Sequence, residues 1–232
     1  MVLAAGLGTR MRPLTDKVPK PLVPLNGKPL LDHVLDRLAL AGVEKAVVNV
    51  HYKANQIERH LAGRDSPQIV ISDERDALLD TGGGVARALP LLGGAPFFIH
   101  NSDSVWTEGA TPCLDLMAEA WNSEIMDTLF LLAPRDKTLG YDGKGDFLMH
   151  ENGAVERRGD RDSVPFVFAG VSIAHPRLFA GCPEGKFSLN ALWDRAIAGG
   201  RAFGVRHEGT WMHVGTPQAV EEAGELLRRA QG

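Results

Sequence analysis

Cysteine is nearly absent. Cys113 and Cys182 are the only two in 232 residues, too few and too far apart for a disulfide framework or a metal ribbon. That usage suits a reducing, cytoplasmic setting. A surplus of positive charge is also missing: the net charge is −4, which gives no electrostatic case for a nucleic-acid partner. No apolar stretch approaches the length of a membrane span, and the start lacks a charged segment followed by an apolar one. We therefore expect no membrane association. Two common phosphate motifs are excluded as well. The dinucleotide fingerprint needs a third glycine where Met11 stands, and no Gly-Lys-Ser or Gly-Lys-Thr triplet occurs to end a P-loop. What remains is an ordinary globular composition, 44% hydrophobic and 23% charged, long enough for one large domain.

The first 25 residues say the most. An apolar run over 1–5 reads as a buried strand, and it opens into Gly6-Leu-Gly-Thr-Arg10. Two glycines one residue apart let the backbone turn sharply and bring bare N–H groups close to a ligand. Such a loop can hold a triphosphate. Arg10, Arg12, Lys17 and Lys20 put four cations within eleven residues, where phosphate charge must be balanced. Because the strand begins at Met1 itself, we expect the natural chain to start slightly upstream.

Apolar residues at helical spacing predict helices over 30–41, 55–61, 85–92, 111–121, 189–198 and 217–229, the last capped by Thr216 and opened by Pro217. Short apolar runs predict strands over 44–50, 68–72, 97–100 and 127–133, a further strand after the turn-rich 141–146, and a bent strand or strand pair over 165–173. Glu151-Asn-Gly-Ala154 reads as a hairpin turn. Strands alternating with helices on short connections predict an α/β fold: a Rossmann-like, mostly parallel sheet sandwiched by helices. Ligands in such sheets bind beyond the carboxyl ends of the strands, so the loops after Ala5, Val50, Ser72 and Ile99 share one rim. In the loop over 73–84, Thr81 is placed to cap the next helix, and the glycines after it allow a flat base or ribose to approach. Asp103, at the end of the central strand, is a natural Mg²⁺ ligand facing phosphates, or else the cap of the next turn.

Leu3-Ala-Ala-Gly-Leu-Gly-Thr-Arg-Met11, followed by Pro13, Thr15, Pro19-Lys-Pro21 and Gly27-Lys-Pro29, resembles the signature of sugar-1-phosphate nucleotidyltransferases. The resemblance implies a single domain over 1–232 of the nucleotide-diphospho-sugar transferase type, with a nucleotide-binding half to about residue 104 and a sugar-binding half from about 105. It implies that Leu3, Ala4, Ala5, Gly6, Gly8 and Thr9 wrap a nucleoside triphosphate. Arg10 and Lys20 would neutralise its phosphates and that of the sugar, and with Asp103 they form the implied catalytic set. Leu79-Asp-Thr-Gly-Gly-Gly84 is similar to the family's second nucleotide-contacting loop, which assigns Thr81, Gly82 and Gly83 to the nucleotide. Asp103 matches a metal-binding aspartate of the family, and Asn101 a sugar-phosphate contact. Gly143-Lys-Gly-Asp146 is similar to the sugar-side loop, which puts Gly145 and Asp146 near the sugar, and Gly170 stands where the backbone approaches it.

One departure matters. Thr210-Trp-Met-His-Val-Gly-Thr-Pro217 is similar to the family's closing Trp-x-Asp-Val-Gly-Thr, but the second metal-binding aspartate is His213. Mg²⁺ prefers hard oxygen, whereas imidazole suits Mn²⁺, Co²⁺ or Zn²⁺ better. Three readings stay open: His213 binds a softer metal, it hydrogen-bonds a phosphate and leaves Mg²⁺ to Asp103, or the site is inactive. The second is favoured, because Mg²⁺ often needs only one or two carboxylates plus substrate phosphates. The implied cofactor is Mg²⁺, with Mn²⁺ as the alternative. Taken whole, the chain is most similar to short bacterial uridylyltransferases acting on N-acetylmuramate 1-phosphate in cell-wall recycling. The implied partners are a nucleoside triphosphate and a sugar 1-phosphate, in a monomer or small homo-oligomer. Mannose-1-phosphate guanylyltransferases and choline-phosphate cytidylyltransferases are the alternatives. His213 also supports a different class, a non-catalytic nucleotide-sugar-binding regulatory protein that would bind nucleotide without releasing pyrophosphate.

Overall fold

A computed structural model describes residues 1–231. Its centre is a nine-stranded sheet. From one edge the main path runs Val155–Arg157, Phe147–Met149, Phe166–Ala174, Phe97–Asn101, Val2–Leu3, Lys45–Val50 and Gln68–Asp73. Thr128–Pro134 pairs with Phe166–Ala174 off this path, and Ala202–Arg206 pairs with Thr128–Pro134. The four strands from Phe97–Asn101 to Gln68–Asp73 are all parallel, joined by helical crossovers as the alternating pattern predicts. Phe166–Ala174 runs antiparallel to both its long neighbours, so the sheet is parallel over the four strands from Phe97–Asn101 to Gln68–Asp73 and mixed beyond them.

Burial alternates along the strands because successive side chains leave opposite faces. In Lys45–Val50, Ala46, Val48 and Val50 pack against one face and Val47 against the other. In Thr128–Pro134, Leu129 and Leu131 go one way, Phe130 and Leu132 the other. Helices Leu30–Leu40, Ala54–Leu61 and Cys113–Ala120 cover the first face, and Asp80–Leu92 and Asn190–Ala198 cover the second. Leu31, Val34, Leu35 and Leu38 form the buried stripe of the first helix. Each such leucine, fully buried, contributes roughly 2 kcal/mol.

A smaller three-stranded sheet sets the floor of the site. Ser104–Trp106, Trp211–His213 and Thr138–Leu139 pair so that His213 lies opposite Ser104. The closing helix Pro217–Gln231 packs Ala223 and Leu227 onto Met11, Val23 and Leu25, and so holds the segment after the glycine loop. Its cap is as predicted: Ala219 N donates to Thr216 Oγ1 at 3.2 Å.

The expected bent strand is one strand, Phe166–Ala174, whose pairing register shifts between Phe168 and Ser172 around Gly170. One expectation fails outright. The helix expected over 85–92 begins at Asp80, so Gly82, Gly83 and Gly84 lie in its first turns and not in a loop. Thr81 does not cap it by its side chain: Thr81 Oγ1 instead accepts from Leu189 N at 3.0 Å. Three glycines are poor helix formers by propensity. Packing overrides that here, because a Cβ on Gly82 would sit 2.4 Å from the Phe187 ring and one on Gly84 would sit 2.8 Å from Asn49 and Glu74.

Candidate active site

The glycine loop keeps its shape by close packing. Gly8 adopts φ +64, and a Cβ there would lie 2.9 Å from both Lys20 Cβ and Thr15 Cγ2. Buried Thr15 donates from Oγ1 to Gly8 O at 2.9 Å, and Met11 N donates to the same carbonyl at 3.0 Å. The loop is thereby stapled to the segment that carries Lys20. Glycine is required at position 8 for two reasons, the positive φ and the absence of space.

Two cavities open at this rim. One, of about 440 Å³, is lined by Leu3, Ala4, Ala5, Gly6, Gly8 and Thr9, with Thr81 across from them. The other, of about 890 Å³, takes Asp146, Gly170 and His213. Arg10, Asn101, Asp103 and Gly215 line both, and Lys20 lines the first. So the structure brings together most of the residues that the sequence singled out, and it places Arg10 and Asp103 where the two spaces meet.

Lys20 forms an ion pair with Asp103, with Lys20 only 13% and Asp103 25% exposed. Burial alone would raise the Asp103 carboxyl, but the adjoining Lys20 ammonium outweighs it, with help from His213, and holds the group below the ordinary aspartate range. Asp103 is therefore ionised. Burial lowers the pKa of His213, with Asp103 opposing and Lys20 and Arg10 assisting, which favours the neutral ring. The ring stands over Gly215, where a Cβ would come within 2.7 Å of Nε2, and Arg10 Nη1 approaches Nε2 at 3.4 Å. His213 thus supports Arg10 at the junction.

No three His, Cys, Asp or Glu side chains come together as a metal cage among the described residues. The donor set does fit a hard cation that brings its own oxygens. Asp103 offers one ionised, partly open carboxylate beside a phosphate-sized space, which is how Mg²⁺ is commonly held together with substrate phosphates.

Three predicted site residues lie elsewhere. Gly82 and Gly83 are not among the lining of the smaller cavity: their N–H groups donate to Phe187 O at 2.9 and 3.1 Å, so they serve the packing of a neighbouring segment. Gly145 is not among the lining of the larger cavity either. It holds a turn with φ +84, tight against Val164 O, and donates its N–H to Tyr141 Oη at 3.0 Å. Asp146 does line that cavity, yet its carboxylate also accepts from Phe168 N at 2.9 Å, which fixes the loop to the bent strand. Gly170 is confined: at φ +80, a Cβ would lie 2.6 Å from Ser104 Oγ.

Sequence reasoning missed three residues of the smaller cavity. Glu74 is fully buried in the cavity wall, where burial pushes its carboxyl up. Asn49 joins it to the glycine-loop strand, donating from Nδ2 to Glu74 Oε1 at 2.7 Å while Asn49 Oδ1 accepts from Ala4 N at 2.7 Å. A polar residue at the end of each of two adjacent strands was the available signal. Lys186 lines the same cavity from a distant part of the chain, and nothing in its local pattern announced it.

The model of the nucleotidyl transferase family matches residues 1–157. The chain is 51% identical to N-acetylmuramate alpha-1-phosphate uridylyltransferase of Caulobacter vibrioides over 234 residues, 99% of this chain and 97% of that protein. It is 35% identical to the protein of the same name from Neisseria meningitidis serogroup B, over 97% of this chain and 96% of that one. Among solved structures, the inositol-1-phosphate CTP transferase from T. maritima superposes with a TM-score of 0.78 at 19% identity, over 98% of this chain and 94% of its own. That last likeness is one of fold.

Proposed function

Since this chain belongs to the nucleotidyl transferase family, we propose that it joins UTP to N-acetylmuramate 1-phosphate, giving the nucleotide-sugar and pyrophosphate. The observation that carries this reading is the meeting of two cavities at Arg10, Asn101 and Asp103. The smaller suits a nucleotide on the glycine loop and the larger a bulky sugar. Two relatives whose names specify this substrate pair match over nearly their whole length, which supports the choice of base and sugar.

A phosphate oxygen of the sugar 1-phosphate attacks the α-phosphorus of UTP in line. The bond from the α-phosphorus to the α,β-bridging oxygen breaks, and pyrophosphate leaves with that oxygen. The attacking oxygen is already anionic, so no general base is needed. Catalysis is alignment and charge neutralisation. Gly6, Gly8 and Thr9 offer main-chain N–H groups to the triphosphate, and Arg10 faces the leaving pyrophosphate. Lys20 stands between the α-phosphate and the incoming phosphate, and Asn101 orients the latter. Asp103 would hold Mg²⁺, which when bound supplies further neutralisation of phosphate charge. His213 keeps Arg10 in place and donates a ring N–H to a phosphate oxygen. Asp146 and Gly170 face the sugar.

No described helix is long and apolar enough to cross a membrane. Two unpaired thiols fit a reducing compartment, and we place the protein in the cytoplasm, where it would return a cell-wall sugar to nucleotide-linked form. The test is pyrophosphate release from each of four nucleoside triphosphates crossed with a panel of sugar 1-phosphates, with Mg²⁺ and with Mn²⁺. UTP with N-acetylmuramate 1-phosphate should be the productive pair. GTP with mannose 1-phosphate as the sole productive pair would overturn the substrate assignment. Nucleotide binding with no release across the whole panel would overturn catalysis itself.

A further inference from the structure

The nucleotide cavity has a cationic end and a less basic remainder. Arg10, Lys20 and Asp103 line it with the glycine loop, whereas Leu3, Ala4, Leu78 and Thr81, with the carboxylates Glu74 and Asp80, line the rest. Phosphates belong to the first end and a base to the second. A segment from the sugar-binding half closes that second end. Phe187 N donates to Leu79 O at 3.2 Å, Phe187 O accepts from Gly82 N and Gly83 N, and Leu189 N donates to Thr81 Oγ1 at 3.0 Å. The fit leaves no room for side chains: a Cβ on Gly83 would lie 2.2 Å from Gly185 O. Gly82 and Gly83 therefore leave the space in which this segment sits.

Lys186 lies between Gly185, packed on Gly83, and the anchored Phe187; it is exposed and lines the cavity. The other cations of the cavity are engaged, Lys20 by Asp103 and Arg10 by His213. Lys186 has no ion-pair partner among the described residues, so a ligand can meet its ammonium without breaking a contact. A docked main chain on both sides limits where the side chain can reach.

We propose that Lys186 reads the base, its ammonium donating to the carbonyl oxygen at the position where cytosine and adenine carry an amino group, and so selecting keto bases over amino bases. This rests on the proposed use of UTP. A uracil presents an acceptor at O4, as guanine does at O6, whereas cytosine and adenine present an amino donor there. An ammonium has donors only, so it favours the first pair and opposes the second. The residue deepens the assignment by naming a cation that acts on the base rather than on phosphate.

The experiment compares wild type, Lys186→Met and Lys186→Arg in kcat/KM for UTP and CTP, and in equilibrium binding of UMP and CMP. Lys186 is exposed, so these variants should fold, and a thermal melt checks it. In Lys186→Met the preference for UTP over CTP, and for UMP over CMP, should fall about tenfold, through weaker use of UTP and UMP while CTP and CMP are used at least as well as by wild type, because a hydrogen bond to a charged donor is lost and the clash with the amino group is relieved. Lys186→Arg should keep most of the preference. Equal loss for both nucleotides would show a phosphate contact and overturn the proposal, as would no change at all. A wild type that prefers GTP fails the proposed function and not this inference, which the same comparison of GTP with ATP, and GMP with AMP, then decides.

Discussion

Replacing Lys20 with alanine removes the cation that stands against Asp103 and the transferred phosphate. Loss of one preorganised charge at a developing negative charge costs about 10²–10³ in kcat, or about 3–4 kcal/mol of barrier. The structural cost is smaller. Breaking a fully buried ion pair costs about 3–5 kcal/mol, and an exposed one about 0–1. With Asp103 25% exposed, water can reach the orphaned carboxylate, and about 1–2 kcal/mol is expected. For a chain of this size that is a fall of a few degrees in Tm. The two readouts therefore separate: pyrophosphate release should drop by orders of magnitude while the thermal melt falls by only those few degrees. The variant also carries a pH signature. Asp103 titrates below its ordinary value in the folded protein, so the stability it adds is complete above the unfolded pKa near 4 and is lost as pH falls through the depressed folded value. Without Lys20 that depression is gone, and the acid limb of the stability curve should flatten. Near-normal turnover in Lys20→Ala would refute the reasoning, and so would a loss of turnover that merely follows unfolding.

Gly170→Ala should destabilise the protein by about 1–3 kcal/mol and raise KM for the sugar phosphate, because it needs positive φ and collides with Ser104; urea melts and initial rates check both. His213→Asp adds a hard oxygen beside Asp103, so half-saturation should need less Mg²⁺, read by Mg²⁺ titration of turnover with the nucleotide held constant. A thiol reagent should titrate one cysteine in the native protein and two after denaturation. Cys182 is partly exposed, whereas Cys113 is buried beside His207 and burial pushes its thiol up, out of the reactive range.

Most of the frame was legible because it depends on local signals. The parallel strands announce themselves as apolar runs, and the helices by spacing, within a residue or two at their ends except for the one that begins at Asp80. Asp103 and His213 could be placed from strand ends and from the intact Trp211 to Thr216 phrase, and the pairing of His213 with Ser104 brings the two together. What could not be read depends on contacts between distant segments. Gly82 to Gly84 look like a loop because glycine disfavours helix, and only Phe187 and Glu74, occupying the missing side chains' space, explain the helix. Gly145 and Asp146 carry a plausible sugar-side pattern, yet the first is spent on Val164 and Tyr141 and the second is shared with Phe168. Lys186 reaches the nucleotide cavity through a segment anchored more than a hundred positions away on Thr81, a relation with no periodicity to betray it.

The most direct measurement follows two labels in UTP incubated with N-acetylmuramate 1-phosphate and Mg²⁺. Label at the α-phosphate should appear in a nucleotide-linked N-acetylmuramate, and label at the γ-phosphate in pyrophosphate, in equal amounts. Label at the γ-phosphate released as inorganic phosphate, or α-label remaining in free nucleotide while the sugar phosphate is unconsumed, would contradict nucleotidyl transfer at this site.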